Sequence, residues 1–132
     1  MSNNFFRFKQ FTVFQEHCAM KVGTDGVLLG AWAKVVDCST VLDVGTGTGL
    51  IALMVAQRNR SSVIDAIDID KGCVMQAEHN VINSPYSHRI DVHRESFQDF
   101  AQQIDTKYDL IISNPPYFKN SLKSPNLARS NA

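Results

Sequence analysis

The 132 residues include one tryptophan, three cysteines and no net charge, and each scarcity excludes something. Cys18, Cys38 and Cys73 are odd in number and widely spaced, which fits neither a disulfide framework nor a zinc site. All three are expected to be reduced packing residues. His17, His79, His88 and His93 lack ligand spacing, so no metal is expected. No apolar run nears the roughly 20 residues of a membrane helix. Met1-Ser2-Asn3-Asn4-Phe5 has neither the charged nor the apolar region of a signal peptide. The expected location is the cytoplasm, with no membrane partner. Repeats are absent as well. What remains is 44% apolar and 20% charged, enough for one soluble domain with a single core.

Zero net charge conceals an uneven layout. All thirteen acids lie between Glu16 and Asp109, while Arg7 and Lys9 precede them and Lys119, Lys123 and Arg129 follow. Basic ends around an acidic middle suit contacts to phosphates, and equally suit a solvated surface with a polar tail. Residues 5–14 alternate apolar and polar side chains around Lys9-Gln10, the pattern of a short arm or hairpin. Gly23-Thr24-Asp25-Gly26 then precedes a helix predicted at 27–36, with Thr24 or Asp25 as its N-cap.

From Thr40 onward strand and helix patterns alternate, which specifies βαβ units and a mostly parallel α/β sheet. Strands are predicted at 41–44, 63–67, 89–93 and 108–113, and helices at 50–58, 71–81 and 97–104. Asn83-Ser84-Pro85 ends the middle helix, because proline cannot continue it. The fourth strand is almost wholly apolar, as in strands buried on both faces. The chain divides into an N-terminal arm and helix at 1–39, a core at 40–118 and a basic polar tail at 119–132. An uncovered apolar edge is an association hazard, so a sheet truncated after the fourth strand is expected to self-associate there.

Val41-Leu42-Asp43-Val44-Gly45-Thr46-Gly47-Thr48-Gly49-Leu50 reads as a strand ending in a glycine-rich turn that opens a helix. Gly45 and Gly47 lack the Cβ atoms that would obstruct a ligand. The amides of the turn, Thr46 included, and the helix N-terminus can receive a carboxylate. Asp43 is placed to bind an ammonium group, directly or through water. The dinucleotide fingerprint G-x-G-x-x-G would need a glycine where Leu50 stands. The spacing through Gly49, with an acid two residues upstream, fits a methyltransferase loop better; a purely structural turn is the other reading. Asp65-Ala66-Ile67-Asp68-Ile69-Asp70 ends the second strand, where an acid can accept from both ribose hydroxyls. Asp68 is the choice for that role, with Ile69 beside it. Asp70 is assigned to helix capping, and Asp65 lies too early.

Ile112-Ser113-Asn114-Pro115-Pro116-Tyr117 follows the fourth strand. A conjugated amine is a poor nucleophile because its lone pair is delocalised. The Asn114 side-chain oxygen and the Pro115 carbonyl can accept hydrogen bonds from a target NH₂, orient its lone pair and stabilise the positive charge that develops. Pro115 and Pro116 restrict the loop, and Tyr117 offers a face for an extruded base. A proline turn with a packed tyrosine is the bland alternative. In this order, the two motifs resemble the cofactor and catalytic loops of S-adenosylmethionine-dependent amine methyltransferases.

Phe8-Lys9-Gln10-Phe11 and the stretch from Cys18-Ala19-Met20-Lys21-Val22-Gly23 through Leu29-Gly30-Ala31-Trp32-Ala33 resemble the bacterial valine-tRNA adenine-N6 methyltransferases. That family modifies adenine 37, beside the anticodon. The likeness continues through Ala52-Leu53-Met54-Val55-Ala56-Gln57-Arg58 and through 109–117. It implies a Rossmann-like class I methyltransferase fold, with these strands ordered three, two, one, four and further strands missing here. It also implies S-adenosylmethionine as cofactor and a tRNA anticodon loop as partner. The segment 21–26 would border the cofactor pocket, making Lys21, Thr24 and Asp25 candidates for contacts or loop support. After the third strand the family supplies an aspartate that accepts from the cofactor adenine's amine. Here Ser96 holds that place, with Glu95 adjacent and Phe97 able to pack on the ring.

Methyl transfer to the N6 amine of adenine 37 in a valine tRNA is the leading reading. Glutamine methylation of release factors uses the same Asn-Pro-Pro-Tyr chemistry and is the runner-up. A cofactor-binding or RNA-binding fragment without activity is the alternative from another class. An NAD-dependent oxidoreductase is disfavoured by the glycine spacing.

Overall fold

Strand β3 (Thr40–Val44) is the axis of the molecule, with Val41, Leu42 and Asp43 all buried. The computed structural model describes residues 5–18, 24–104 and 107–113. Strands β4 (Val63–Asp68) and β6 (Leu110–Ser113) flank β3 in parallel, and β5 (Ile90–Arg94) pairs with β4. The order is β5-β4-β3-β6, which is the expected three, two, one, four. Val44 stands level with both Ile67 and Ser113, and Asp68 with Arg94. The carboxyl ends of the strands therefore form one edge, with the reversal of strand order between β3 and β6. Ligands of open α/β sheets bind at such an edge.

Side chains alternate along a strand, so Val41 and Leu42 face opposite layers. On one face Val41, Ile64 and Ile112 join the larger core with helix α2 (Leu50–Arg58). Helix α1 (Thr24–Trp32) packs on α2 in turn, and α2 buries every residue from Leu50 to Ala56, as a helix enclosed on all sides does. On the other face Leu42 and Ile67 meet Phe100 of helix α4 (Phe97–Gln103). Helix α3 (Lys71–Ile82) begins at Asp70, whose Oδ2 accepts from the Cys73 amide at 2.8 Å, the capping role expected of it.

One stripe of α3 holds the N-terminal arm. Strands β1 (Phe5–Arg7) and β2 (Thr12–Phe14) form the antiparallel hairpin expected at 5–14. Asn80 Oδ1 accepts the Phe14 amide and Asn80 Nδ2 donates to the Phe14 carbonyl, each at 2.8 Å. One turn earlier Gln76 Oε1 accepts the His17 amide at 2.7 Å. One turn earlier again, a Cβ on Gly72 would collide with the His17 carbonyl. Cys18 and Cys73 close this path as a disulfide, which corrects the expectation of three reduced cysteines. Only Cys38 remains a thiol. The pairing of arm with helix brings together two residues that their 55-residue separation keeps apart on paper.

Two further expectations change. Helix α1 already includes Thr24 and Asp25, so neither precedes it as a cap, and it ends at Trp32. Asn59 Nδ2 donates to the carbonyls of Val35, Val36 and Cys38, which draws that segment out of helical geometry. Strand β6 is not buried on both faces: Ile112 is buried, but Ile111 is 52% exposed. An apolar run records a tendency to be covered, not which neighbour does the covering. Asn80 Nδ2 also donates to the Thr48 carbonyl at 2.8 Å. Asn80→Leu would thus strand two carbonyls and an amide, and the unfolding free energy should fall by roughly 3 kcal/mol or more. Urea denaturation checks this; a loss under roughly 1 kcal/mol would contradict the role given to Asn80.

Candidate cofactor site at the carboxyl edge

The glycine turn is held from within before any ligand arrives. The Gly45 and Thr46 amides both donate to the Ile67 carbonyl at 2.9 Å. The Gly47 amide donates to Asp68 Oδ2 at 2.8 Å, and the Gly49 amide to the Thr46 carbonyl at 2.9 Å. These four amides are engaged, so the expectation that the turn offers them to a carboxylate needs correcting. Gly45, at φ 72°, faces open space: a Cβ there would meet nothing within 4 Å. Gly49, at φ 87°, lies against Ala77 of α3, whose Cβ would be 3.4 Å from an added one. One glycine borders open space and the other admits a helix.

Asp43 is buried at the start of α2, where Thr46 Oγ1 donates to its Oδ2 at 2.8 Å. Burial raises its carboxyl pKa from 3.8 to about 6, against the Thr46 hydrogen bond and the nearby Ala52 amide, which lower it; the charge of Asp68 adds a smaller upward push. Its Oδ1 is buried without a hydrogen-bond partner. A carboxyl group thus already faces the helix N-terminus, and one of its oxygens is left without a partner. Asp68 bridges two turns: Oδ2 holds Gly47, and Oδ1 accepts the Asp70 amide at 2.9 Å. Each oxygen keeps a further lone pair for a hydroxyl.

Beyond Asp68 the edge becomes apolar, with Ile69 68% and Phe97 46% exposed. Ser96 is the N-cap of α4, its Oγ accepting the Asp99 amide at 3.1 Å. That capping bond reduces its capacity to accept from a ligand. Glu95, whose amide donates to the Asp68 carbonyl at 3.0 Å, has a buried Oε2 with no hydrogen-bond partner. By position Ser96 is the candidate acceptor; its capping bond and the unpaired oxygen of Glu95 distinguish the two. Asp65, set aside as too early, accepts from Tyr108 OH at 2.7 Å and contacts His93 Nε2 at 3.1 Å. Burial, then Asp65, raise the Tyr108 pKa.

Lys21 and the motif Asn114, Pro115, Pro116 and Tyr117 lie outside the described residues, and Thr24 is described only as the first residue of α1. Ser113 ends β6 level with Val44, directly before the motif in sequence. Among the described residues no helix is long and apolar enough to cross a membrane, and no cluster of three His, Cys, Asp or Glu side chains could hold a metal.

The model of one family, the methyltransferase small domain, matches residues 13–130. The tRNA1(Val) (adenine(37)-N6)-methyltransferase of Parabacteroides distasonis is 55% identical over 130 residues, covering 98% of this chain and 54% of that protein. The enzyme of the same name from Salmonella enteritidis is 51% identical over 133 residues, covering 100% of this chain and 54% of that protein. The chain spans about half the length of the curated relatives it matches. Among solved structures, the O-methyltransferase from Bacillus cereus in complex with SAH superposes with a TM-score of 0.62 at 18% identity, over 84% of this chain and 53% of that one. Cofactor-bound Rv0187 from MTB superposes with a TM-score of 0.64 at 17% identity, over 89% and 55%. At these identities the two structures show a shared fold.

The raised pKa of Asp43 has a consequence for the ligand-free protein. Between pH 3.8 and about 6 the unfolded chain releases this proton while the folded chain retains it. The contribution of Asp43 to stability is therefore fully present below pH 3.8 and is lost as pH rises through about 6. Up to roughly 3 kcal/mol is at stake. Asn is never ionised, so Asp43→Asn should unfold at higher urea than wild type at pH 7.5, with the gap shrinking towards pH 4. A gap independent of pH would contradict this account.

Proposed function

The chain belongs to the methyltransferase small domain family, and on that premise we propose that it binds S-adenosylmethionine and transfers methyl to the N6 amine of adenine 37 in a valine tRNA, in the cytoplasm. The observation that carries the reading is the buried, unpaired Asp43 Oδ1 beside the glycine turn. It fits the ammonium end of S-adenosylmethionine, and the open space before Gly45 fits the ligand's approach. Asp68 accepts from the ribose hydroxyls with its remaining lone pairs. Glu95 accepts from the adenine amine, taking the part first given to Ser96, while Ile69 and Phe97 offer apolar faces to the ring.

When bound, S-adenosylmethionine supplies an electrophilic methyl group. The chain's own residues prepare the nucleophile. Asn114 Oδ1 and the Pro115 carbonyl accept from the target amine and hold its lone pair in line. Pro115 and Pro116 keep those acceptors from turning away. Tyr117 stacks on the base, and an anticodon loop presents that base at lower cost than a duplex. No strong base is needed, because the methylated amine cation loses its proton readily. Lys21 and Thr24 support the loop or contact the ligand. The names of the relatives favour tRNA over a release-factor glutamine.

Calorimetry with S-adenosylhomocysteine tests the pocket. Wild type should bind, Asp43→Ala should lose at least tenfold in affinity, and the wild-type affinity should decline below about pH 6 as Asp43 protonates. Undiminished binding by Asp43→Ala would sink the assignment. Glu95→Gln should weaken binding several-fold, whereas Ser96→Ala should lower stability by about 1 kcal/mol and leave affinity alone. Asn114→Ala should keep its affinity and lose about a hundredfold in methyl transfer; unchanged transfer would remove Asn114 from the mechanism.

A further inference from the structure

We propose that the groove between the N-terminal hairpin and the carboxyl half of α3 binds the sugar-phosphate backbone and a base of RNA, as a second contact to the substrate outside the methyl-transfer pocket. The inference rests on the tRNA reading above for its partner and on separate residues for its chemistry. The groove encloses about 610 Å³ and is lined by Arg7, Phe8, Lys9, Phe14, His79 and Asn83, among others. None of its lining residues is a carboxylate. On the hairpin side this reflects the layout of the chain, whose first acid is Glu16; on the α3 side Glu78, beside His79, is not among the lining residues. Arg7 and Lys9 are exposed, and neither has an ion-pair partner among the described residues. Two cations facing solvent with no anion of their own are electrostatically complementary to phosphates.

The other walls are aromatic and fixed. Phe8 stacks on Phe11 with ring centroids 4.9 Å apart, and buried Phe11 meets the edge of Tyr86 at 6.2 Å. Phe14 meets the edge of His79 at 5.3 Å, while its backbone is clamped by Asn80. Partly open ring faces beside unpaired cations are the means by which proteins hold single strands, stacking the bases and tracking the backbone. A long apolar ligand would leave Arg7 and Lys9 unmatched, and an acidic peptide would leave the rings without a flat partner.

Position suits the role. Helix α3 has 12 residues, about 18 Å of rise, with its first turn beside Asp68 and its last turn in the groove. A strand resting in the groove would reach the carboxyl edge within a few nucleotides. Binding there adds affinity without touching the reacting atoms, so its loss should appear in KM and not in kcat.

The experiment compares the full chain with the double variant Arg7→Ala/Lys9→Ala, using fluorescence anisotropy with a valine tRNA transcript and with an unstructured oligouridylate at several salt concentrations. Methyl transfer and S-adenosylhomocysteine affinity are measured alongside. The variant should bind RNA about tenfold more weakly, with a salt dependence shallower by about 1.4 from two lost phosphate contacts. KM for tRNA should rise with kcat and cofactor affinity unchanged. Arg7→Lys should retain the wild-type salt dependence. If wild type methylates the tRNA and the double variant matches it in KM and salt dependence, the groove proposal is overturned and the tRNA reading stands. If wild type methylates no tRNA yet binds oligouridylate through Arg7 and Lys9, the groove stands and the tRNA reading falls. Weaker binding with an unchanged salt dependence, or no RNA binding by wild type, overturns the proposal.

Discussion

The carboxamide of Asn80 is the interaction on which the rest of the arrangement depends. It is fully buried and makes three hydrogen bonds, two to Phe14 across 66 residues and one to Thr48 across 32. Buried polar groups are costly unless satisfied, so β2, α3 and the glycine turn must take up their positions together or not at all. Once Phe14 is fixed, the chain that follows has one course along α3, past Gln76 and Gly72 to the Cys18–Cys73 bond. The same fixation holds Phe14 against His79 and so shapes the hairpin groove.

At the carboxyl edge the governing constraint is competition for hydrogen-bonding groups. The Ile67 carbonyl takes two amides of the glycine turn and Asp68 takes a third, which sets the turn in place ahead of any ligand. Preorganisation of this kind lowers the entropy lost on binding. Among the described residues three buried side-chain atoms have no partner: Gln76 Nε2 in the arm contact, and two oxygens at this edge. Asp43 stays buried with a raised pKa and one oxygen unpaired, and Glu95 likewise keeps an unpaired buried oxygen. Local violations of this kind concentrate where a ligand completes the chemistry.

Much of this was legible along the chain. Helix α2 runs over 50–58 as its pattern indicated, Asp70 caps α3, and the sheet has the strand order that the resemblance implied. Those features depend on periodicity, glycine spacing and capping chemistry, which act over a few residues and leave a local trace. The errors share a different origin. Thr24 and Asp25 looked like caps, yet the helix includes them and stops early, because Asn59, more than twenty residues away, captures the carbonyls beyond it. Ser96 has a second part that its position along the chain did not show: its Oγ accepts the Asp99 amide and caps α4.

The sequence by itself determined the kinds of elements, their succession, and the residues placed at strand ends: Asp43, Gly45 and Asp68 stand where alternation and glycine spacing put them. Tertiary structure alone decided which polar atoms are left unpaired, which cysteines meet, and which cations share a groove with aromatic rings. The reason is physical. Periodicity arises from the repeat of the backbone and shows in any short window, but a hydrogen bond, a disulfide or an electrostatic patch is set by distances between segments 30 to 70 residues apart. Those distances exist only once the chain has closed on itself.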